Sequence, residues 1–481
     1  MLDQNITMDL PRNTPEQQGT PSKSIQNFIT EIEEQGLELH SMMLLRDGHV
    51  VTEGWWHPYR RELPHSLYSL SKSFTSSAIG MAVSEGLLSL DDLVISYFPE
   101  HTPKEPDERL SSMTIRHLLT MSSGHASETL VSVNRDNRRS WSEIFFSQPL
   151  VHEPGSQFVY NSGATYMLSA ILQKVTGITL LDYLRPRLFD PLGIANPFWE
   201  TCPDGITAGG WGLYLLTEDI AKFGQLLLQK GVWNGTRLLD SGWVEEATSK
   251  QISNGGTEDN EWSQGYGYQF WRCKHGAYRA DGAFGQLCVV MPEQRAIFAA
   301  TAGVDDIQAV LNTLWKHILP AFSAAPLPAD PASEDSLKRR LGELSIQPPG
   351  TLPASGRESE ISGRRLVLKP NNAGLESLAL HFRDDAVEMS VSYAGQPVSA
   401  LLGRQRWQDG ETVFEGNPNV PVSSAFGWDG PDRLELAVRV IESPVCITIA
   451  LVFDKDLCTL HYREHPTFEN NGTTVIEGTW E

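Results

Sequence analysis

The 481-residue chain has few cysteines, a deficit of basic residues and no long apolar run. Its five cysteines show neither paired nor C-x-x-C spacing, which argues against a disulfide framework or a zinc site, and their odd number is typical of a reducing compartment. The 38 Lys and Arg residues against 60 Asp and Glu give a net charge of −22, which argues against nucleic acid and anionic membrane surfaces as partners. Without 18 consecutive apolar residues, no membrane span is expected.

Several functional signatures are also missing. Residues 1–19 contain neither a basic n-region nor an apolar h-region, so they do not predict a secretory signal, and we expect a cytoplasmic protein. The chain contains no G-x-S-x-G, H-E-x-x-H, P-loop or G-x-G-x-x-G motif, so it gives no support for an α/β-hydrolase, a zinc peptidase or a nucleotide-binding fold. The 13 histidines do not cluster at metal-ligand spacings, and we expect neither a metal nor an organic cofactor.

The stretch with the clearest chemical potential is Ser69-Leu70-Ser71-Lys72, at the start of a predicted helix that ends near Gly86. Spacing i, i+3 places a hydroxyl and an amine on one helical face. A lysine can activate a serine if burial lowers the lysine pKa. The tetrapeptide alone equally describes an amphipathic helix with a capping serine and a solvated lysine. The helix is expected to bury an apolar stripe formed by Phe74, Ala78, Met81 and Ala82.

Two further elements follow in the chain. Tyr160-Asn161-Ser162 stands between a Glu-Pro-Gly turn signal and an apolar run, which predicts a loop just before a helix. Residues 278–292 predict a hairpin: a strand, a bend marked by Gly282 and Gly285, and a second strand that ends at Pro292.

In this order and spacing, the three elements resemble the serine hydrolases related to class C β-lactamases. That group includes D,D-peptidases, D-aminopeptidases, esterases of β-lactamase fold and nylon-oligomer hydrolases, which share S-x-x-K, Y-x-N and a K/H-x-G strand. The resemblance covers roughly residues 15 to 320. It is supported by lesser family-like stretches at 114–124 and at Ala208-Gly209-Gly210.

The chain departs from the family pattern at two places. The second motif ends in Ser162 where relatives usually have Asn, and a hydroxyl has a shorter reach than an amide. The third motif reads Ala280-Asp281-Gly282, so the strand lacks the cation that in many relatives binds a substrate carboxylate. Lys274-His275-Gly276 is literally K-x-G, but no G-x-x-G spacing follows it, and we interpret it as a turn.

The resemblance implies a role for each motif. Ser69 would attack a carbonyl carbon, and Lys72 and Tyr160 would exchange the proton as a coupled pair, with the identity of the base left open. The oxyanion would lie between the backbone N–H groups of Ser69 and Ala283. The residues expected to bind substrate are Ser162, Asp281 and Gly282.

The function predicted from these motifs is a serine hydrolase that acts through an acyl-enzyme on esters or amides of small molecules or peptides. The alternatives are a β-lactamase or D,D-peptidase, and a non-catalytic, penicillin-binding-like protein that binds a ligand. Whether the chain forms a homo-oligomer stays open.

Two other groups of residues favour structural roles. Gly265–Tyr268 with Trp262 and Trp271 is aromatic, which favours a core strand over a wall of the active site. His117 lies in a predicted helix and is expected to be structural.

The expected fold class is α+β: a β-lactamase/transpeptidase-like antiparallel sheet, built from both ends of the domain, flanked by helices, with a helical subdomain inserted. Residues 1–320 would form this hydrolase domain and 321–345 a linker with a short helix. Residues 346–481 alternate short strands with turns, which predicts an antiparallel barrel similar to the lipocalin-like domains of some relatives. Its expected role is packing or assembly.

Overall fold

A computed structural model describes residues 9–130, 139–257, 259–454, 457–468 and 472–481. These residues form two compact units. The first takes in the described residues of Met1–Gly54, Ser66–Ala302 and Asp306–Gly342, and the second those of Trp55–His65, Gly303–Asp305 and Glu343–Glu481. The division into domains 1–320, 321–345 and 346–481 stays a prediction.

A six-stranded sheet in the order β2-β1-β11-β10-β9-β8 is the centre of the first unit. It joins strands from the start of the unit to strands from its end, as the sequence predicts, and the β1–β11, β11–β10, β10–β9 and β9–β8 pairs are antiparallel. The strands of this part of the chain are β1 (Leu39–Arg46), β2 (His49–Trp55), β3 (His65–Ser66), β4 (Phe198–Trp199), β5 (Leu213–Leu215), β6 (Val232–Trp233), β7 (Thr236–Arg237), β8 (Trp271–Arg272), β9 (Tyr278–Gly282), β10 (Gln286–Met291) and β11 (Ala296–Ala302).

Helices cover both faces of this sheet. Adjacent residues of a strand point to opposite faces. Accordingly, Phe298 of β11 packs edge-to-face on Phe28 at 5.5 Å, while Ile297 lies against Gly224 on the other side. The helices are α1 (Ser22–Glu34), α2 (Ser71–Ser84), α3 (Glu108–Ser112), α4 (Ile115–Leu119), α5 (Trp141–Ser147), α6 (Ser162–Thr176), α7 (Leu180–Leu184), α8 (Asp190–Leu192), α9 (Thr217–Leu228), α10 (Ser241–Thr248), α11 (Ile307–His317), α12 (Pro331–Gly342) and, in the second unit, α13 (Glu358–Ile361).

Helix α2 differs from its expected amphipathic form. Every residue from Ser71 to Ala82 is buried, so burial includes the predicted apolar stripe and extends beyond it to all sides of the helix. A helix that is covered on all sides belongs to the core of a large domain. Some of its small polar residues satisfy their hydroxyls on nearby carbonyls: Ser73 donates to Gln269 O at 2.7 Å and Thr75 to Gly209 O at 2.8 Å. Gly86, with φ 71°, follows the end of the helix as expected.

Within the described residues, no single helix is long and apolar enough to cross a membrane, whereas one bent pair, Ser162–Thr176 with Leu180–Leu192, meets the criteria of length and composition only.

The second unit is a closed antiparallel barrel. Ten strands follow one another in the order β15-β14-β13-β12-β21-β20-β19-β18-β17-β16, and a parallel pairing of β15 with β17 closes nine of them into a ring. Its interior is filled by a packed apolar core that includes Leu402, Phe426, Trp428 and Leu451. The strands are β12 (Arg365–Leu368), β13 (Leu375–Phe382), β14 (Ala386–Tyr393), β15 (Gln396–Arg404), β16 (Gln408–Phe414), β17 (Asn417–Trp428), β18 (Arg433–Val440), β19 (Cys446–Asp454), β20 (Leu457–His465) and β21 (Thr474–Trp480).

The α+β class and the C-terminal barrel are therefore confirmed. The sequence pattern found five barrel strands, at 365–368, 378–382, 387–391, 434–440 and 446–453, and missed β15, β16, β17, β20 and β21. Among the missed strands, β16 carries polar residues at most of its positions, which removes the alternation on which strand prediction depends.

Candidate active site

Ser69 lies on a sharp bend where the chain enters α2. It occupies a short 3-10 turn, Tyr68–Leu70, and is partly exposed, whereas the α-helix itself begins at Ser71. Tyr68 has a φ of 47°, a left-handed conformation that a residue with a side chain adopts only when its surroundings impose it. Ser71 Oγ donates to Tyr68 O at 2.6 Å and accepts from Leu213 N at 3.1 Å. These bonds fix the bend and hold the Ser69 hydroxyl out of the helix.

Lys72 is enclosed beside Ser69. Only 1% of the residue is exposed. Its Nζ donates to Ser69 Oγ at 2.9 Å, to Ser162 Oγ at 3.1 Å and to Gly210 O at 2.7 Å. Burial lowers the pKa of Lys72 to about 7, and the negative charges of Glu128 and Asp281 oppose part of that fall. Near neutral pH the amine is therefore present in both its charged and its neutral form.

Tyr160 completes the group around Ser69. It lies on the loop that leads into α6, as the turn signal predicts, and its hydroxyl shares a hydrogen bond with Ser69. Lys72 Nζ is 4.9 Å from the centre of the Tyr160 ring, and Trp271 stacks on that ring at 5.6 Å. Burial raises the pKa of Tyr160 well above its usual range, although the hydrogen bond from Ser69 opposes the rise. The phenol therefore keeps its proton at physiological pH.

Ser162 is the first residue of α6 and touches Lys72 through its hydroxyl. Asn161, at the N-cap, points the other way: its Oδ1 accepts from Gly163 N at 2.9 Å and from Thr129 Oγ1 at 2.9 Å. The third residue of the Y-x-S motif thus reaches the amine, while the second closes the end of the helix.

Strand β9 presents a paired carboxylate. Arg279 Nε donates to Asp281 Oδ2 at 2.6 Å, because residues two apart on a strand share a face. Arg279 is completely buried and lies 4.7 Å over the ring of Trp262, whereas 8% of Asp281 remains exposed. Burial raises the pKa of Asp281, and the guanidinium of Arg279 opposes that rise. The positive charge on this strand is therefore turned inward, and the largely buried carboxylate of Asp281 is the charged group nearer to solvent.

Gly282 allows β9 to approach the nucleophile segment. A Cβ at this position would lie 2.1 Å from Leu67 O, two residues before Ser69. The turn that follows, Ala283-Phe284-Gly285, is fixed by the buried Gln286, whose Nε2 donates to Ala283 O at 3.0 Å and to Ala302 O at 2.8 Å. The backbone of Ala283 is consequently held next to the segment that carries Ser69.

Three contributors to this site were not identified from the sequence. Gly210 O binds Lys72, Gln286 braces the hairpin turn, and the Glu128 carboxylate lies at the start of α6. Gly210 belongs to a stretch that the family resemblance had marked without a role. No local pattern marks the roles of Glu128 and Gln286, since each also bonds a distant residue, Ser162 and Ala302, 34 and 16 positions away in the chain.

Other candidate groups have structural roles. His117 Nδ1 accepts from Thr114 N at 3.1 Å and so caps α4. Lys274-His275-Gly276 forms a turn, with φ values of 58° at His275 and 70° at Gly276. Tyr266 and Tyr268 are buried but do not form the expected core strand, and Tyr266 instead packs on Trp271 at 4.9 Å, beside Tyr160. Within the described ranges, no group of three or more His, Cys, Asp and Glu side chains is placed to hold a metal ion.

Comparison with known proteins finds relatives of this chain by sequence. The Beta-lactamase family model matches residues 25–310. A lovastatin esterase of Penicillium rubens is 31% identical over 27% of this chain and 38% of its own length. A 6-aminohexanoate-dimer hydrolase of Paenarthrobacter ureafaciens is 23% identical over 43% of this chain and 56% of its own.

Among solved structures, the octameric penicillin-binding protein homologue from Pyrococcus abyssi is 17% identical, with a TM-score of 0.50 over 94% of this chain and 99% of that one. This likeness shows the fold. The chain spans between 38% and 66% of the length of the first curated relatives it matches. The match of the family model over more than half of the sequence shows that the chain belongs to the beta-lactamase family.

Proposed function

We propose that the protein is a serine hydrolase that forms an acyl-enzyme on Ser69 with esters or amides of small molecules or peptides. The observation that carries this proposal is the 2.9 Å contact between Lys72 Nζ and Ser69 Oγ, in surroundings that lower the pKa of Lys72 to about 7. A serine hydroxyl needs a base that is unprotonated at working pH, and with a pKa of about 7 a large fraction of this amine is neutral near pH 7. The relatives named lovastatin esterase and 6-aminohexanoate-dimer hydrolase agree with ester or amide substrates.

The three contacts of Lys72 suit a base in the acylation step. Gly210 O can only accept a hydrogen bond, and Ser162 Oγ can accept a second, so a neutral amine donates its two protons there. Its lone pair then faces Ser69 Oγ. As Oγ bonds to the carbonyl carbon, its proton moves to Nζ, and the ammonium that forms keeps all three contacts.

Tyr160 is proposed to relay the proton to the leaving group. Its raised pKa keeps the phenol protonated, so it donates its proton to the departing oxygen or nitrogen and regains one from Lys72. The C–O or C–N bond of the substrate breaks, and the acyl group stays on Ser69. Water then attacks the acyl carbon while Lys72 accepts its proton. The bond from that carbon to Ser69 Oγ breaks, Lys72 returns the proton to Oγ, and the acid product leaves.

The oxyanion is proposed to bind the backbone N–H groups of Ser69 and Ala283. The close approach of Gly282 to Leu67 O supports this, because it places the two N–H groups on segments in direct contact. Gln286 holds the Ala283 carbonyl and thereby the orientation of the turn. Preorganised donors of this kind account for roughly 10²–10³ in kcat per donor.

The charge at β9 indicates which substrates are favoured. The Arg279 guanidinium is buried against Asp281, so a substrate carboxylate meets an acidic edge rather than a cation. Like charges near 4 Å cost on the order of 4 kcal/mol at intermediate dielectric before screening. We therefore place neutral esters, and amides with a free amine such as those of D-residues, ahead of penicillins. Ser162, Asp281 and Gly282 are the proposed contacts for substrate.

The test is hydrolysis of p-nitrophenyl butyrate, D-alanine p-nitroanilide and nitrocefin by wild type, Ser69→Ala and the control Ser84→Ala. Ser84 is an exposed serine of the same helix whose hydroxyl bonds Gly80 O. We expect wild type to turn over the first two substrates. Ser69→Ala should lose this activity completely, whereas Ser84→Ala should keep it. Nitrocefin as the best substrate would favour the β-lactamase or D,D-peptidase alternative. Binding of a substrate without turnover would favour the non-catalytic one.

Three further expectations accompany this function. We propose a cytoplasmic location, a reaction without metal or organic cofactor, and a three-part domain organisation with boundaries at 320 and 345. The octameric state of the Pyrococcus abyssi homologue motivates a measurement of the oligomeric state of this protein.

A further inference from the structure

The Glu128 carboxylate lies across the start of α6, next to the proposed base. Its Oε2 accepts from Ser162 N at 2.5 Å, and its Oε1 accepts from Gly163 N and Leu130 N, both at 3.1 Å. The first N–H groups of a helix have no partner within the helix, so a carboxylate here satisfies donors that would otherwise be left free. Ser162 is thereby held at two points: through its N–H to Glu128 and through its hydroxyl to Lys72.

The start of α6 is shaped to receive the segment that carries Glu128. Asn161 Oδ1 accepts from Thr129 Oγ1 at 2.9 Å and from Thr129 N at 3.2 Å. A Cβ on Gly163 would lie 2.0 Å from Thr129 Oγ1, so this approach requires glycine at position 163. Asn161 and Gly163, which flank Ser162, therefore lock the position of the carboxylate.

The groups that face Lys72 determine which of its protonation states is favoured. Four uncharged groups lie around its amine: the Ser69 hydroxyl from the turn before α2, the Ser162 hydroxyl from α6, Gly210 O from the 209–210 loop and the Tyr160 ring from the loop before α6. Two carboxylates add negative charge, Asp281 from β9 and Glu128.

The two carboxylates are not equivalent. Asp281 shares its charge with Arg279 in a 2.6 Å ion pair. In the described part of the chain, no Lys, Arg or His side chain forms an ion pair with Glu128, which bonds backbone N–H groups instead. Among the described residues, the charge of Glu128 is therefore the less compensated of the two, and it acts on Lys72 through partly buried surroundings, where screening is weak.

We propose that Glu128 is a positioning residue of the active site, which holds Ser162 against Lys72 and stabilises the ammonium that Lys72 becomes when it takes the proton of Ser69. This assignment rests on the proposed hydrolase function. Glu128 gives Lys72 a negative neighbour that favours proton transfer from Ser69. It also connects the Y-x-S motif to the segment 128–130.

The experiment compares kcat/KM for p-nitrophenyl butyrate from pH 5 to 9 in wild type, Glu128→Gln, Glu128→Asp and the control Glu245→Gln. Glu245 is an exposed carboxylate paired with Lys230. In Glu128→Gln we expect the acidic limb to move to lower pH, because loss of the negative charge lowers the pKa of Lys72, and the plateau to fall about tenfold, the equivalent of one charge-assisted hydrogen bond. Glu128→Asp keeps the charge, so its acidic limb stays near that of wild type while the plateau falls. Glu245→Gln changes neither.

The outcomes separate this assignment from the function it rests on. A Glu128→Gln profile that keeps the wild-type midpoint, with only a lower plateau, would mean that Glu128 merely caps α6 and would overturn the assignment while leaving the hydrolase intact. A wild type without turnover would overturn both. If Glu128→Gln melts below the assay temperature, Glu128→Ser, which removes the charge and keeps a short capping hydroxyl, decides by the same shift of midpoint.

Discussion

The lowered pKa of Lys72 predicts a pH dependence of kcat/KM that differs sharply from the one an ordinary lysine would give. With a pKa of about 7, about a tenth of the amine is neutral at pH 6, half at pH 7 and about nine tenths at pH 8. Because kcat/KM reports the ionisation of the free enzyme, it should rise about tenfold per pH unit at the acidic end and level off above about pH 8. A lysine with its usual pKa of 10.5 would give a rate still rising at pH 9.

The assay measures p-nitrophenyl butyrate hydrolysis at constant ionic strength, read at the isosbestic wavelength of the released nitrophenol. Lys72→Arg serves as the comparison, because a guanidinium keeps its proton in this range and cannot act as a base. Its loss should be about 10²- to 10⁴-fold, the usual contribution of a general base. A wild-type limb with its midpoint above pH 9, or an Arg variant with substantial activity, would refute the role of Lys72.

The same pKa has a consequence for stability that does not depend on turnover. The folded-state pKa lies below the unfolded value, so between about pH 7 and 10.5 the unfolded chain binds more protons, and stability rises with pH across that window. Below pH 7 both states are protonated, and the folded state bears the full cost of the buried charge. Relative to Lys72→Met, the unfolding free energy of wild type should therefore increase by about 2–3 kcal/mol from pH 6 to pH 9. A difference that is constant over this range, measured by urea unfolding, would show that the amine titrates normally.

Two further substitutions test the strand beside the nucleophile. Gly282→Ala would place a Cβ 2.1 Å from Leu67 O, so we expect a loss of about 100-fold in kcat/KM. The control Gly342→Ala, at an open position of a helix, should change kcat/KM little. Equal activity of the two variants would contradict the proposed packing. Arg279→Met leaves the buried Asp281 without its cation and should lower the free energy of unfolding by about 3–5 kcal/mol. The double variant with Asp281→Asn should lose less stability, because the unpaired charge is then removed. A double variant less stable than Arg279→Met would show that loss of the ion pair does not cause the destabilisation.

The extent to which the sequence anticipated the fold depended on local pattern. The hairpin at 278–292 and the loop before α6 follow from turn residues and alternation, which are readable over a few positions. Some of the strands missed in the barrel, such as β16, lack that alternation and gain their order from the neighbours they pair with. The burial of α2 on every side was also missed, since its composition is that of a half-exposed helix.

For the candidate site, the sequence by itself determined the chemical groups: a hydroxyl and an amine one helical turn apart, a tyrosine before a helix, and a strand with an acid in place of a cation. Tertiary structure alone decided what these groups can do. The pKa of Lys72 depends on its desolvation and on Glu128 and Asp281, which lie far from it along the chain. The inward turn of Arg279 likewise depends on Glu261, whose backbone carbonyl accepts from Nη1 at 3.2 Å, and on Trp262. Spacing in a sequence fixes which side chains share a face, whereas burial and electrostatics are sums over all neighbours in space, and these exist only once the chain has folded.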